Sequence, residues 1–195
     1  MDFTEKKVEI QKKVERLLSR DRYTHSLGVC QSAQDLALRY RCNADKAAIS
    51  ALLHDIARDF SGDEMKAAIL QEDPDAHFPR QMLVEPVLLH ARAGAAVAKN
   101  QFGITDNEIL RGIAMHTTGG PGMGLLERII FVADFIEPGR RMYGVEKARK
   151  LAAESLDAAM LYILKLILAY LLDQDKCILS DSIDAYNDII LNRTN

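Results

Sequence analysis

Tryptophan is absent from this sequence, and cysteine occurs only three times and proline five times in 195 residues. Cys30, Cys42 and Cys177 are odd in number and lie in no Cys-x-x-Cys pair, so neither a disulfide framework nor a thiolate zinc site is expected. That usage fits a reducing cytoplasm. Charge of one sign is not in excess either: 25 Lys and Arg face 28 Asp and Glu, a net charge of −3. No overall cationic field therefore draws the chain to nucleic acid or to a membrane surface, and any phosphate binding must be local. Long apolar runs are missing. The greasiest stretch, Met160 to Leu172, is 13 residues with Lys165 inside it, too short to span a bilayer. The N-terminal MDFTEKKVEI is charged from its second residue and has no apolar h-region, which argues against a secretory signal.

Alternating apolar and polar runs, the mark of half-buried strands, are also lacking. Apolar residues recur at three- and four-residue spacing, so the expected fold is all-α. With 48% hydrophobic and 27% charged residues the composition is that of a globular protein, and a chain of this length can bury roughly 70% of its unfolded surface. No repeat or low-complexity linker marks a boundary, so one domain over 1–195 is expected. Val8, Ile10, Val14, Leu17 and Leu18 place one face on a first helix ending near Ser19 to Arg22, and a second helix is expected from about Tyr23 to Arg41. Asn43 is a good N-cap for a third helix carrying Ala47, Ala48, Ala51, Leu52 and Ile56 inward, and Ser61 for a fourth. Gln71 to Pro86 holds three of the five prolines and reads as irregular. Thr105 is the expected cap of a helix to His116, with Glu108 as its capping-box partner. The turn TTGGPGMG follows, then a helix through Glu137, the turn PGRRMYG, and C-terminal helices over about 145–172 and 181–191.

The chemistry lies in the histidines. There are five, and four fall in order with two aspartates: His25, the adjacent pair His54 and Asp55, His90, His116 and Asp134. His54 and Asp55 sit among apolar residues in ALLHDIA, and Asp134 has apolar neighbours in IIFVADFIEP. A buried isolated carboxylate is costly, so Asp134 needs a cation, a hydrogen-bond network or a proton. Imidazole with carboxylate suits Zn, Fe, Mn or Ni better than the all-oxygen sites of Ca or Mg. Singly, His25 or His90 reads as an ordinary half-buried histidine. Six such groups in order on five helices read jointly as a metal site. His77, in the proline-rich segment, reads as a surface residue.

The order H, HD, D resembles the HD-domain metal-dependent phosphohydrolases. RYTHSLGV, ALLHDIARDF, LLHARAGA, HTTGGPGM and LLERIIFVADFIEPGR, dense over 22–149, are similar to the YqeK-type symmetrical bis(5'-nucleosyl)-tetraphosphatases. This chain has Arg58 where that family has Lys, and Met142-Tyr143 where it has Phe-Pro. The resemblance implies an HD-domain helical bundle with its metal site between core helices, the helices of 150–195 packed on it. It implies that His25, His54, Asp55 and Asp134 hold one metal and that His90 and His116 hold a second, bridged by Asp55, which is catalytic. The implied cofactor is a dinuclear divalent metal, iron first, with manganese, zinc or nickel as alternatives. The implied reaction is cleavage of diadenosine tetraphosphate into two ADP. The small-molecule partner would then be a dinucleoside polyphosphate or a nucleoside diphosphate, with no nucleic acid and no membrane.

Phosphate oxygens beyond the metals need donors. Arg22 lies three residues before His25 and Arg58 four after His54, spacings that put each on a ligand's helix face; Arg58 is expected to clamp the reacting phosphate. Arg140 follows Asp134, with a solvated face as its other reading. Thr117, Thr118 and Gly119 offer hydroxyls and close backbone approach, or else form a plain glycine cap after the His116 helix. Two other functions stay open: an HD phosphohydrolase acting on mononucleotides or cyclic nucleotides, and a metal-dependent nucleotide-binding regulator without turnover. The apolar helix 160–172 is open as a lid, a homodimer surface or plain core.

Overall fold

The computed structural model of the chain describes residues 3–192; residues 1–2 and 193–195 of the expected 1–195 domain lie outside it. Among the described residues no strand forms, as the absence of alternation requires. The helices run α1 (Phe3–Leu17), α2 (Arg20–Arg39), α3 (Ala44–Leu53), α4 (Gly62–Glu72), α5 (Arg80–Val84), α6 (His90–Phe102), α7 (Asn107–Met115), α8 (Leu125–Ile136), α9 (Val145–Glu154), α10 (Leu156–Asp173) and α11 (Ser180–Leu191), with a 3-10 turn at Pro86–Leu89 leading into α6.

Helix α3 is the centre. Every residue from Ala47 to Leu53 is buried, and a helix apolar on all sides must be enclosed. Helices α1, α2, α6, α7 and α8 enclose it. The other greasy core segment is Ile129 to Ala133 of α8, which packs on α2, α3 and α7 and on α9 and α10 beyond. The apolar stretch expected as lid, dimer surface or core divides: Met160, Leu161, Ile163 and Leu164 are buried, whereas Tyr170 and Leu172 are exposed.

Several boundaries differ from those expected. Asp106, not Thr105, caps α7, its Oδ1 accepting from the amides of Glu108 (3.0 Å) and Ile109 (3.3 Å). A carboxylate outranks threonine at this position because its charge also meets the positive helix end. Glu108 is no capping-box partner and instead pairs with Lys46. Helix α3 stops at Leu53 rather than running to Ile56. Tight three-residue turns, Ile56 N–H to Leu53 O and Arg58 N–H to Asp55 O, carry the chain round a corner at 54–60 while keeping Ile56 inside. In α1, Ile10 and Val14 are buried, as is Leu18 just after it, but Val8 and Leu17 are half exposed. Val8 lies about 200° round the helix from Ile10 at 3.6 residues per turn, and the helix ends at Leu17 so that Leu18 turns inward. Helix α2 starts at Arg20, earlier than expected, which puts Arg22 on it. The proline-rich segment is not wholly irregular, since it holds α5. The stretch from 145 breaks at Ser155, whose Oγ caps α10 at Ala158 N–H. Asn43 and Ser61 cap α3 and α4 as expected.

Candidate metal centre

Five elements converge on one point. His25 lies inside α2, His54 and Asp55 at the corner after α3, His90 at the first residue of α6, His116 at the C-cap of α7, and Asp134 in the last turn of α8. His54, Asp55, His90 and His116 are buried and His25 and Asp134 half-buried. Their ligand atoms form three overlapping triads, His25–His54–Asp55, His54–His116–Asp134 and Asp55–His90–His116, each within 4.8 Å. His77 is exposed, far out on the segment before α5.

Asp55 is central. Its Oδ2 lies 3.0 Å from Arg22 Nη1 and 3.7 Å from His54 Nε2, and its Oδ1 lies 3.3 Å from His90 Nε2 and 3.6 Å from His116 Nε2. Asp134 Oδ1 lies 3.0 Å from His25 Nε2, 3.9 Å from His54 Nε2 and 2.8 Å from Arg140 Nη2. His54, His90 and His116 each donate Nδ1–H to the carbonyl three residues back, of Ala51 (2.7 Å), Val87 (2.5 Å) and Ile113 (2.7 Å). Those bonds leave Nε2 of each ring as the free acceptor.

These residues fit a divalent cation. His54 Nε2 is fully buried with no hydrogen-bond partner, yet it points its lone pair toward two carboxylates, an arrangement a cation between them would satisfy. His90 Nε2 and His116 Nε2 stand 3.1 Å apart, so without a cation the pair must share a proton. The titration of these groups follows their geometry. Burial pulls His54 down, and burial with the neighbouring His116 charge pulls His90 down to about 3. His116 is raised, because the hydrogen bond and charge of Asp55 exceed the opposing effect of its burial. His25 is raised against its burial by the hydrogen bond and charge of Asp134. Burial would raise Asp55 and Asp134, but the surrounding histidines hold both carboxyls well below the usual range. The depressed carboxyls favour positive charge beside them, and the lowered His54 and His90 favour the neutral imidazole that ligates a metal.

The expected phosphate donors sit around this cluster in different ways. Arg22 spans Asp55 and Asp59, at 3.0 and 3.8 Å. Arg58 is on the corner rather than on a helix face, with Nε 4.0 Å from Asp55 Oδ1. Arg140 grips Asp134 through both its carboxylate and its carbonyl. Thr117 Oγ1 lies 3.1 Å from Nε2 of both His90 and His116. Thr118 and Gly119 are occupied elsewhere. The Thr118 hydroxyl donates to Gly119 O, and Gly119 N–H closes α7 on Met115 O with φ +68, its Cα turned to Ala185 of α11.

Glu137 was not singled out in the sequence. It is buried, with Oε1 3.3 Å from His25 Nδ1. The only hint was its place three residues after Asp134, masked by a following Pro-Gly that reads as a solvated turn.

The family model of the HD domain matches residues 22–139, which contain all six convergent residues. This chain belongs to the HD-domain family. The symmetrical bis(5'-nucleosyl)-tetraphosphatase of Bacillus subtilis (strain 168) is 37% identical over 177 residues, 91% of this chain and 94% of the relative. The enzyme of the same name from Staphylococcus aureus (strain NCTC 8325 / PS 47) is 33% identical, covering 87% of each chain. Among solved structures, a predicted HD superfamily hydrolase involved in NAD metabolism from Clostridium acetobutylicum superposes with a TM-score of 0.91. It is 36% identical, and the match covers 95% of this HD-domain chain and 97% of that one.

Proposed function

We propose that this chain is a metal-dependent hydrolase that cleaves diadenosine tetraphosphate symmetrically, water adding at one of the two central phosphorus atoms and the bridging P–O bond breaking to give two ADP. The observation that carries it is Asp55, whose two oxygens are divided between two histidine groups, the arrangement a carboxylate needs to serve two cations at once. The names of its relatives supply the substrate.

His25, His54, Asp55 and Asp134 are the residues that would hold one metal, and Asp55, His90 and His116 a second, with iron the first choice. When bound, such cations neutralise phosphate oxygens and lower the pKa of an attacking water. The chain's own groups do the rest. Arg58, the guanidinium with the loosest partner in the cluster, takes a reacting phosphate oxygen; Arg22 and Arg140 leave part of their donor sets free for the flanking phosphates. The Thr117 hydroxyl, 3.1 Å from Nε2 of both His90 and His116, stands beside the second site and donates to a phosphate oxygen there. Thr118 and Gly119 act through their turn, which holds Thr117 in place. The leaving ADP is a good leaving group, so no strong general acid is required of the protein.

The chain works as one domain over 1–195, in the cytoplasm, on a small molecule and without nucleic acid or membrane. No described helix is long and apolar enough to cross a membrane. Exposed Tyr170 and Leu172 on α10 favour a homodimer, which sedimentation at micromolar concentration checks. Incubating metal-loaded protein with diadenosine tetraphosphate and resolving the products tests the activity. ADP as sole product is expected; AMP plus ATP, or no turnover with any of iron, manganese, zinc or nickel, would overturn it.

A further inference from the structure

His54, His90 and His116 orient their rings alike, each through a carbonyl three residues back. Each sits at a helix boundary: His54 and His116 cap α3 and α7, where the last carbonyls lack intrahelical partners, and the Val87 carbonyl accepts the His90 amide of the 3-10 turn together with the ring. His25 sits inside α2. The carbonyl three residues before it, of Arg22, belongs to the α-helical ladder and accepts the amide of Ser26. His25 Nδ1 faces a side chain instead, Glu137 Oε1 at 3.3 Å.

We propose that Glu137 is the positioning residue of His25. It accepts the Nδ1–H and so leaves Nε2, which faces Asp134 Oδ1 at 3.0 Å, as the lone pair offered to a cation. The inference rests on the metal reading of the cluster.

Three further observations carry it. The Glu137 side chain is 7% exposed, and a carboxylate removed from water must be compensated. Its Oε2 accepts the Gly139 amide, and its Oε1 lies 3.9 Å from Arg140 Nε in addition to the imidazole. The residue's backbone is pinned as well, its carbonyl accepting from Arg149 Nη2 at 2.7 Å and from the Arg140 amide at 3.0 Å. Finally, α2 makes room for the carboxylate. Gly28, three residues after His25 and on the same face, would carry a Cβ only 2.6 Å from Glu137 Oε2. Glycine is unfavourable in a helix interior, and here its missing side chain is what admits Glu137. A carboxylate on the far nitrogen of a ligating histidine fixes its tautomer and raises its basicity, and losing such a partner weakens metal binding by roughly 10- to 100-fold.

The test compares wild type, Glu137→Gln and Gly28→Ala. Manganese(II) affinity is measured by chelator competition, stoichiometry by elemental analysis, and the His25 ring by nitrogen NMR on metal-free protein at alkaline pH. Glutamine keeps the length of the side chain and an acceptor for the Gly139 amide, so a purely structural role would leave both readouts unmoved. Roughly 10- to 100-fold weaker binding at one of the two sites is expected, with His25 nitrogen shifts moving toward a mixture of tautomers. Gly28→Ala should shift both readouts the same way, although alanine is the better helix former. Wild-type affinity and unchanged nitrogen shifts in Glu137→Gln would overturn the assignment alone. A wild-type chain that takes up no metal would overturn the metal reading and the assignment together.

Discussion

His54, His90 and His116 are held by the carbonyls of their own helix boundaries, whereas His25 and Asp134, lying within α2 and α8, are held by side chains, Glu137 and Arg140. The first kind of support is local. It comes with the helix end itself, within three residues of the ring, and no distant substitution removes it without unfolding that end. The second kind spans only six residues for Asp134 but is long-range for His25. It links His25 to Glu137 across 112 positions of sequence, and Arg149 secures it by donating to the carbonyls of Ile136, Glu137 and Arg140. One half of the cluster is thus inherited from secondary structure, and the other exists only once α2, α8 and α9 have docked.

Asp55 is where the two halves meet, so its loss should have the largest effect. Asp55→Ala should lose all metal and all hydrolysis while circular dichroism retains the helical signal, because the charge removed is one that cations balance. Full metal occupancy in that variant would mean that the halves are independent. Next come the backbone-held ligands: His90→Ala and His116→Ala should each lower bound metal from about two toward about one per chain and slow turnover without abolishing it. If both retain the parent's metal count and lose only substrate affinity, these rings serve phosphate rather than metal.

Arg58 belongs to neither half. Arg58→Ala should leave metal content intact and reduce kcat/KM by roughly 100-fold or more, the scale of one lost transition-state charge donor; unchanged kinetics would put the guanidinium in solvent.

Proton linkage distinguishes chelated protein from metal-loaded protein. His25 and His116 are raised above 6.5 in the folded metal-free protein. The stability they contribute is therefore complete below pH 6.5 and is lost as pH rises through their folded values. Asp55 and Asp134 are depressed below 3.8, so their contribution is present above that pH and is lost as pH falls through their folded values. Melting temperatures of chelated protein should decline upward from about pH 6.5, and those of metal-loaded protein should stay flat over the same range, since cations replace the protons. A parallel decline in both would show that metal does not occupy this cluster. The smallest effect is expected far from the site: Asp106→Ala should cost about 1 kcal/mol of stability through loss of the α7 cap, and Thr105→Ala markedly less, read from denaturant midpoints.

The six convergent residues were legible because imidazoles and carboxylates among apolar neighbours are chemically out of place, and six in order have no common structural reason other than a shared ligand. Helix existence was legible from period alone. Helix ends were less so. Thr105 and Asp106 are adjacent competent caps, and which one acts depends on how the loop from Gly103 approaches α7. The corner at 54–60 was hidden because its tight turns keep ALLHDIA in nearly helical phase.

Residue type and order by themselves determined an all-α chain with a histidine and aspartate set suited to a divalent metal, since burial cost and ligand chemistry are properties of side chains. Tertiary structure alone decided which oxygen of Asp55 meets His90 and His116, and that Glu137 reaches His25 across the space left by Gly28. Those facts depend on distances between elements far apart in sequence, and no local pattern encodes such a distance until the helices pack.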